Sequence, residues 1–389
     1  MSLELTAATA PLAEAAARIA RLLPSRSPYG AAATVLLRAD AAGLSLTASD
    51  AELSVWVEVS AMTHTDGVVA VPRRAFADTL AALDAPEVRL AVEGSRLAIR
   101  AAGARFALPV LDAASQSSPA ELPPLAGTIA GTALGVAGPV AGAASRDGAL
   151  PIFTGVRVRS DGDRLSLIAT DRYRMGAASL SWQPATAPPT ETTTAAAETT
   201  TTAAGTAAVE VAALVPAGLL AEICRQAGKA AAVRVHAGRD RFGLSWDGCT
   251  VVAASLAGPY PDRQLEGLLD IQPECVVELA ADALAGAVQR AMPYAGPHGR
   301  VTLRTGDGVL QISGRDPLNG ESEEAVKASV RDDHLTTHFQ ARLLLDALRP
   351  FTGQTVTLRM QAGLRATAVT APGVDLTYLV VPMRDTTAP

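Results

Sequence analysis

The feature that most constrains this chain is a pattern it carries three times. Leu44-Ser-Leu-Thr-Ala-Ser-Asp50, Leu165-Ser-Leu-Ile-Ala-Thr-Asp171 and Leu310-Gln-Ile-Ser-Gly-Arg-Asp316 each alternate apolar and polar residues and stop at an aspartate. Alternation with a period of two marks a half-buried strand, and aspartate is a turn former. A second trio follows: Val68 to Pro72 ahead of RRAFADTLAAL, Ala213 to Pro216 ahead of AGLLAEICRQA, and His338 to Gln340 ahead of ARLLLDALRPF. Each reads as a short strand feeding an amphipathic helix, and Pro72 and Pro216 stand where the fixed φ of proline favours helix initiation.

The spacing between the two patterns tests the repeat. It is 28 residues from Leu44 to Pro72 and 30 from Leu310 to Gln340, but 51 from Leu165 to Pro216. The excess falls on 183–208, QPATAPPTETTTAAAETTTTAAGTAA, which has no bulky apolar residue and is expected to be a disordered loop. Each repeat also opens on a helix candidate, Thr9 to Leu23, Thr132 to Arg146 and Ala281 to Met292. Each closes on further strands, Val88 to Arg100, Val233 to Val252 and Val356 to Val381. The expected fold is α+β: three similar domains, 1–118, 119–265 and 266–389, each with two helices and an antiparallel sheet.

Composition sharpens this reading. The net charge is −6, which excludes a protein whose whole surface grips nucleic acid. Aromatics are only 4%, so the cores must be built from Val, Leu, Ile and Ala. Cys224, Cys249 and Cys275 form no CxxC pair and read as buried thiols in a reducing compartment. The uncharged run Leu122 to Ser145 is mostly Gly, Ala, Pro and Thr, and reads as a loop entering a soluble helix, not a membrane span. With no signal-peptide pattern at its start, the expected location is the cytoplasm.

Charge is uneven along the chain. The six helix candidates carry Arg18, Arg21, Arg73, Arg74, Arg146, Arg225, Lys229, Arg290, Arg342 and Arg349 against Glu14, Asp78, Asp84, Glu222, Asp282 and Asp346, a net +4. The remainder carries −10, so basic helices in an acidic body are expected. Catalytic signatures are missing: no phosphate loop, no GxSxG elbow, no GxGxxG after a strand. His334 and His338 are four apart, but in a segment that reads as a strand and without a third ligand. The acidic Glu321, Glu323 and Glu324 read as a solvated turn. No enzyme activity, cofactor or metal is expected.

Several segments in order, Arg105-Phe-Ala-Leu-Pro109, Gly155-Val-Arg-Val158, Ala169-Thr-Asp-Arg-Tyr-Arg-Met175, Tyr260-Pro-Asp262, Asn319-Gly-Glu-Ser-Glu-Glu-Ala325 and Tyr378-Leu-Val-Val-Pro-Met-Arg384, resemble the bacterial DNA polymerase III beta subunit, the sliding clamp. The resemblance covers nearly the whole chain except the Thr-rich insertion. It implies a homodimeric six-domain ring that encircles duplex DNA without reading sequence, is opened by a clamp loader, and tethers polymerase and repair proteins through short peptides. The implied peptide cleft is Thr170, Arg172, Tyr173, Arg174, Met175, Pro261, Leu265, Leu379, Val380, Val381, Pro382, Met383 and Arg384. The cleft floor is expected to be Met175, Leu265, Val380 and Met383, with Thr170 and Arg174 orienting the incoming backbone. The implied DNA-facing set is Arg18, Arg21, Arg26, Arg73, Arg74, Arg146, Arg225, Lys229, Arg290 and Arg342.

The sequence departs from the family pattern in four places. Arg263 follows Tyr260-Pro-Asp262 in place of an aromatic residue, and Gly363-Leu-Arg-Ala-Thr367 replaces a proline-containing segment beside the cleft. Asp385 to Pro389 extend past the usual end, and Gly148 to Pro151 lack a basic residue. These departures leave open a specialised second clamp insensitive to a cleft-binding inhibitor. A repeat scaffold that binds no DNA is the alternative from another class.

Overall fold

The computed structural model describes residues 2–23, 33–112, 118–185, 209–332 and 334–384. Arg26, the bulk of the Thr-rich insertion (186–208) and the tail Asp385 to Pro389 lie outside the described residues. The helices are α1 (Thr9–Leu22), α2 (Arg73–Ala81), α3 (Ala137–Gly142), α4 (Ala217–Ala227), α5 (Asp262–Gly267), α6 (Ala281–Ala291) and α7 (Ala341–Leu348). Among the described residues none of them is long and apolar enough to cross a membrane. The strands pair antiparallel throughout, as the α+β reading expects.

The chain divides into two compact units, Met1–Thr132 with Trp182–Val215 and Glu222–Ser255, and Ala133–Ser181 with Pro216–Ala221 and Leu256–Pro389. In the first unit one sheet runs Ala61–Thr65, Glu4–Ala8, Glu87–Glu93, Arg96–Ala101, Ala104–Pro109. A second runs from Gln183–Pro184 through Leu125–Ile129, Val233–Ala237, Arg241–Trp246 and Cys249–Ala254 into Leu53–Val59, Gly43–Ser49, Thr34–Asp40 and Gly67–Pro72. The pairing of Val251 with Val55 thus continues the sheet of the first repeat into the second. In the other unit Met175 pairs with Leu379, which joins the second repeat to the third in the same way.

The repeated aspartates do the same job three times. Asp50 Oδ1 accepts the N–H groups of Glu52 and Leu53, Asp171 Oδ1 those of Tyr173 and Arg174, and Asp316 Oδ1 those of Leu318 and Asn319. Each strand therefore ends in the same side-chain-closed turn. Three helices repeat one device at their starts. Their N-cap residues make no side-chain cap, but Thr9, Ala281 and Ala341 donate their N–H to the carbonyls of Pro86, Gln354 and Gly299. A distant loop carbonyl replaces the cap, so each helix start is fixed by tertiary structure. Helix α1 buries Leu12, Ala15, Ala16, Ile19 and Leu22, and α6 buries Leu284, Ala287, Val288 and Ala291. That i, i+3, i+4, i+7 stripe faces the sheet, each Leu or Ile contributing roughly 1.5–3 kcal/mol of burial.

Two expectations need correction. The helix expected over Thr132 to Arg146 is broken into a 3-10 turn at Gly131–Gly135 and the short α3, leaving Arg146 beyond it. Gly131, Gly135, Gly138, Gly142 and Pro139, at and just before this stretch, resist a continuous helix, each glycine costing about 1 kcal/mol against alanine. Close packing demands at least one of them, because a Cβ on Gly131 would sit 2.3 Å from the Ala230 carbonyl oxygen. The insertion also starts later than expected: Gln183 and Pro184 pair with Thr128 and Gly127 at a sheet edge. Of the cysteines, Cys249 and Cys275 are buried and Cys224 is half-buried, and none of the three is in a disulfide.

Candidate peptide cleft and basic hollows

The turn Asp171–Arg174 and the strands on either side of it place most of the expected cleft residues. Strand alternation sorts them onto two faces. Thr170 pairs with Met175, Met175 with Leu379, and Leu379 with Ala368, so these four share one face. On that face Met175, Leu379, Ile168, Ala177 and Ala368 form one apolar cluster with Leu265 of α5 and Ile271, flanked by Tyr260, Leu269 and Ala366. Helix α5 is pinned there by ion pairs. Arg157 forks onto both carboxylate oxygens of Asp262 at 3.1 and 3.0 Å, and Arg159 reaches Glu266 at 2.8 Å. Tyr260 stacks edge-on against Phe153 with ring centroids 6.4 Å apart, and burial pushes its hydroxyl pKa up. Beside the cluster opens a cleft of about 370 Å³ lined by Ile168, Ala177, Leu269 and Val374, with Glu266 and Asp375 also on its wall.

The opposite face belongs to the helices. Arg174, Gly176, Tyr378 and Val380 alternate with the cleft residues and lie under α3 and α7. A Cβ on Gly176 would stand 3.0 Å from the Cα of Val140, so α3 rests directly on the strand. Arg174 donates to Asp171 at 2.9 Å and to Asp346 of α7 at 2.5 Å, and is buried. Burial pushes the Tyr378 hydroxyl up to about 12.

This geometry corrects the expected cleft. Val380 is fully buried on the helix face and is no part of the floor. Arg174, expected to orient an incoming chain, is held instead in an internal ion-pair network with Asp171 and Asp346. Thr170 is on the cleft face, but its hydroxyl donates to the Arg174 carbonyl and accepts from the Arg172 N–H. Arg172, at φ 77°, and Tyr173, 60% exposed, form the tip of the turn. Tyr173 accepts the Val381 N–H on its carbonyl, and Met383 donates its N–H to the His338 carbonyl. Val381 and Met383 are half-buried, Pro382 is buried and Arg384 is exposed. Pro261 is half-buried at the start of α5. Sequence reasoning missed Ile168, Ala177 and Ile271. The first two were findable, since they stand two residues from Thr170 and Met175 on alternating strands.

The basic residues divide as sharply. Arg73 is only 5% exposed and cannot face a ligand; burial lowers its pKa while the charge of Asp50 opposes the shift. Its place at the first position of α2 turns it into the apolar stripe with Phe76 and Leu80. Others are paired: Arg18 with Glu14, Arg21 and Arg225 both with Glu222, Arg74 with Asp78, and Arg290 with Glu324. In the second unit Arg146, Arg342 and Arg349 line one hollow of about 540 Å³ together with Asp282 and Asp346. Lys229 is exposed just past α4. Among the described residues no group of three or more His, Cys, Asp or Glu is arranged to hold a metal ion.

Residues 3–117 match the family model for the DNA polymerase III beta subunit, N-terminal domain, and 269–384 that for its C-terminal domain. The chain is 28% identical over 386 residues to the beta sliding clamp of Streptomyces coelicolor, covering 96% of this chain and 97% of that one. It is also 28% identical over 342 residues to the beta sliding clamp homolog GriR of Streptomyces muensis, covering 87% and 85%. Among solved structures, the DNA polymerase sliding clamp of Bacillus subtilis superposes with a TM-score of 0.86 at 19% identity, covering 99% of this chain and all of that one. The sliding clamp of Pseudomonas aeruginosa bound to griselimycin superposes with a TM-score of 0.85 at 22% identity, over 99% and 100% of the two chains.

Proposed function

The chain belongs to the DNA polymerase III beta subunit family, and from that premise we propose that it is a DNA sliding clamp. Two copies close head-to-tail into a ring of six domains, each chain supplying 1–118, 119–265 and 266–389. The ring encircles duplex DNA without reading its sequence and tethers a polymerase for processive synthesis. The observation that carries this reading is the threefold strand, aspartate-turn and helix unit, closed by the same hydrogen bonds at Asp50, Asp171 and Asp316. Three such units per chain need a second copy to make a closed, symmetric ring. Two sheet edges of opposite character support the closure: Ala104–Pro109, which exposes Phe106, and Gly320–Lys327, which carries Glu321 and Glu323.

The clamp performs no chemistry of its own and needs no cofactor; it acts in the cytoplasm, where a loader opens it. Polymerase, loader and repair proteins dock short peptides on the Met175, Leu265 and Leu379 cluster, with the polarisable Met adapting to different anchors. The test is retention on DNA. Loaded onto a nicked circle, the protein should stay bound through gel filtration and be lost when the circle is cut. Release from the intact circle, or a stable monomer at micromolar concentration, would overturn the reading.

A specialised second clamp is supported by one observation: the loop replacing the usual segment beside the cleft puts Ala366 against the apolar cluster, exposes Leu364 and ties Arg365 to Glu274. On that reading griselimycin, which occupies the Pseudomonas aeruginosa clamp, binds this chain weakly while a polymerase peptide still binds. Equal affinities for the two ligands would refute it.

A further inference from the structure

We propose that Glu222 is a built-in phosphate surrogate: its carboxylate sits in a cationic cradle formed by Arg21, Arg225 and Gln226, and thereby weakens the hold of this clamp on DNA. The inference rests on the DNA-encircling reading above and adds to it a residue that sets the strength of the grip.

The cradle lies in the first unit, where α1 meets the second half of α4. Glu14, Arg18, Arg21, Glu222, Arg225 and Gln226 line a depression of about 420 Å³. Glu222 is the buried centre, its side chain 7% exposed, while the guanidinium groups around it open to solvent, Arg21 at 49% and Arg225 at 71%. Arg21 Nε stands 3.4 Å from one carboxylate oxygen, Gln226 Nε2 donates to the same oxygen at 2.7 Å, and Arg225 donates to the other. Arg18, beside them, is tied to Glu14 at 2.8 Å and lends its backbone carbonyl to Gln226.

Three donors converging on a sunken anion is the arrangement a protein builds for a phosphate, because a carboxylate and a phosphate offer guanidinium the same fork of oxygens. Here the anion is part of the chain. A buried carboxylate is tolerated only when donors replace its lost water, so Glu222 holds the arginines as firmly as they hold it. A DNA phosphate must compete with a carboxylate that is always present at high effective concentration. The sequence counts Arg18, Arg21 and Arg225 as three positive charges, but with Glu14 and Glu222 the cluster carries only +1. The hollow of the second unit differs: Arg342 and Arg349 have no carboxylate within ion-pair distance among the described residues. The first-unit helices are therefore electrostatically muted, which favours sliding over holding.

The test is equilibrium binding of the full-length protein to a short linear duplex, read by fluorescence anisotropy from 50 to 200 mM salt, alongside retention on a nicked circle. Each phosphate contact adds about 0.9 to the slope of log affinity against log salt. The E222Q variant should bind tighter at low salt and steepen the slope by up to about 1.8, so that its advantage over the native protein shrinks about twelvefold across that range. Adding R21Q and R225Q to E222Q should remove the gain. The R21Q/R225Q pair alone should flatten the native slope by much less than about 1.8, a comparison that needs no E222Q protein should that variant fold poorly. An E222Q slope equal to the native one, or an R21Q/R225Q loss of the full value, overturns the proposal while native retention on the circle leaves the clamp reading intact. A native protein that neither binds duplex nor stays on the circle overturns both.

Discussion

Leu379 and Val380 are neighbours on one strand, both buried, and the pairing with Met175 and Arg174 puts them on opposite faces. Truncating each to alanine therefore separates the proposed peptide cleft from the core beneath it. Leu379→Ala removes a side chain from the Met175–Leu265–Ile271 cluster and should destabilise by about 2–4 kcal/mol, the usual range for a buried leucine. Val380→Ala removes two carbons against the helices and should cost about 2 kcal/mol, from roughly 0.8 kcal/mol per methylene plus a small cavity. With an unfolding entropy of about 2.1 cal/mol/K per residue, a chain of 389 residues loses roughly 1–1.5 °C of melting temperature per kcal/mol, so both variants should fold at 25 °C. Their effects on peptide binding should diverge. An anchor in a docking cluster contributes roughly 1–3 kcal/mol, so Leu379→Ala should weaken a polymerase-tail peptide about five- to a hundredfold. Val380→Ala should leave that affinity within about twofold, since its side chain never reaches the cleft. Calorimetric titration of both variants, with melting curves run in parallel, reads the two quantities separately. Equal weakening by both substitutions in folded protein would refute the assignment of faces, and no weakening by Leu379→Ala would place the peptide elsewhere.

Gly176→Ala should cost roughly 1–3 kcal/mol by pushing α3 off its strand, because the new Cβ meets the Val140 backbone; an unchanged melting temperature would refute that close packing. Asp346→Ala should strip one partner from the buried Arg174 and destabilise the second unit by about 2–4 kcal/mol, whereas Asp375→Ala, whose Arg164 partner is solvated, should cost under about 1 kcal/mol; similar melting shifts would refute the distinction. Burial lowers the pKa of His236, which bonds to the Pro123 carbonyl at 3.1 Å and to Ser245 at 3.1 Å, so the folded protein resists its protonation. The unfolded chain takes up that proton below about pH 6.5, and stability should be lost as the pH falls through this value and onward to the lower folded pKa. His236→Asn should flatten the melting profile between pH 7.5 and 5.5, and an unaltered profile would refute the linkage.

The fold was legible because its signals are local and repeated. An apolar alternation ending in aspartate needs only the next three residues to close its turn, and all three copies do. The helix stripe of α6 is likewise readable, since its buried residues recur at the spacing the sequence shows. The Thr132–Arg146 stretch failed for the opposite reason. Gly131 is dictated by the Ala230 carbonyl, ninety-nine positions away, and Gly176 by α3, and no local pattern announces either contact. The arrangement of the residues proposed for the cleft was half legible. A motif names the residues around a turn without saying which way each points, and alternation, applied to Leu379 and Val380, divides that set in two.

Charge was the least legible property, because a sequence counts formal charges and a fold decides which of them meet. Arg73 and Arg74 are adjacent in sequence, yet one is buried in a helix stripe and the other stands in solvent beside Asp78. Arg21 and Arg225 are about two hundred positions apart and share one carboxylate. The net +4 over the helices already counts Glu14, Asp78 and Glu222, and it falls to +3 when Glu324, supplied by a strand outside the helices altogether, is set against Arg290. On the proposed clamp reading, Lys229 in the first unit and Arg342 and Arg349 in the second are helix cations without an ion pair among the described residues, while Arg18, Arg21, Arg74, Arg225 and Arg290 sit in ion pairs. Such a surface attracts a polyanion weakly and at no fixed register. The same acidic residues that make the sequence look unsuited to DNA are, in the fold, what would let a closed ring move along it.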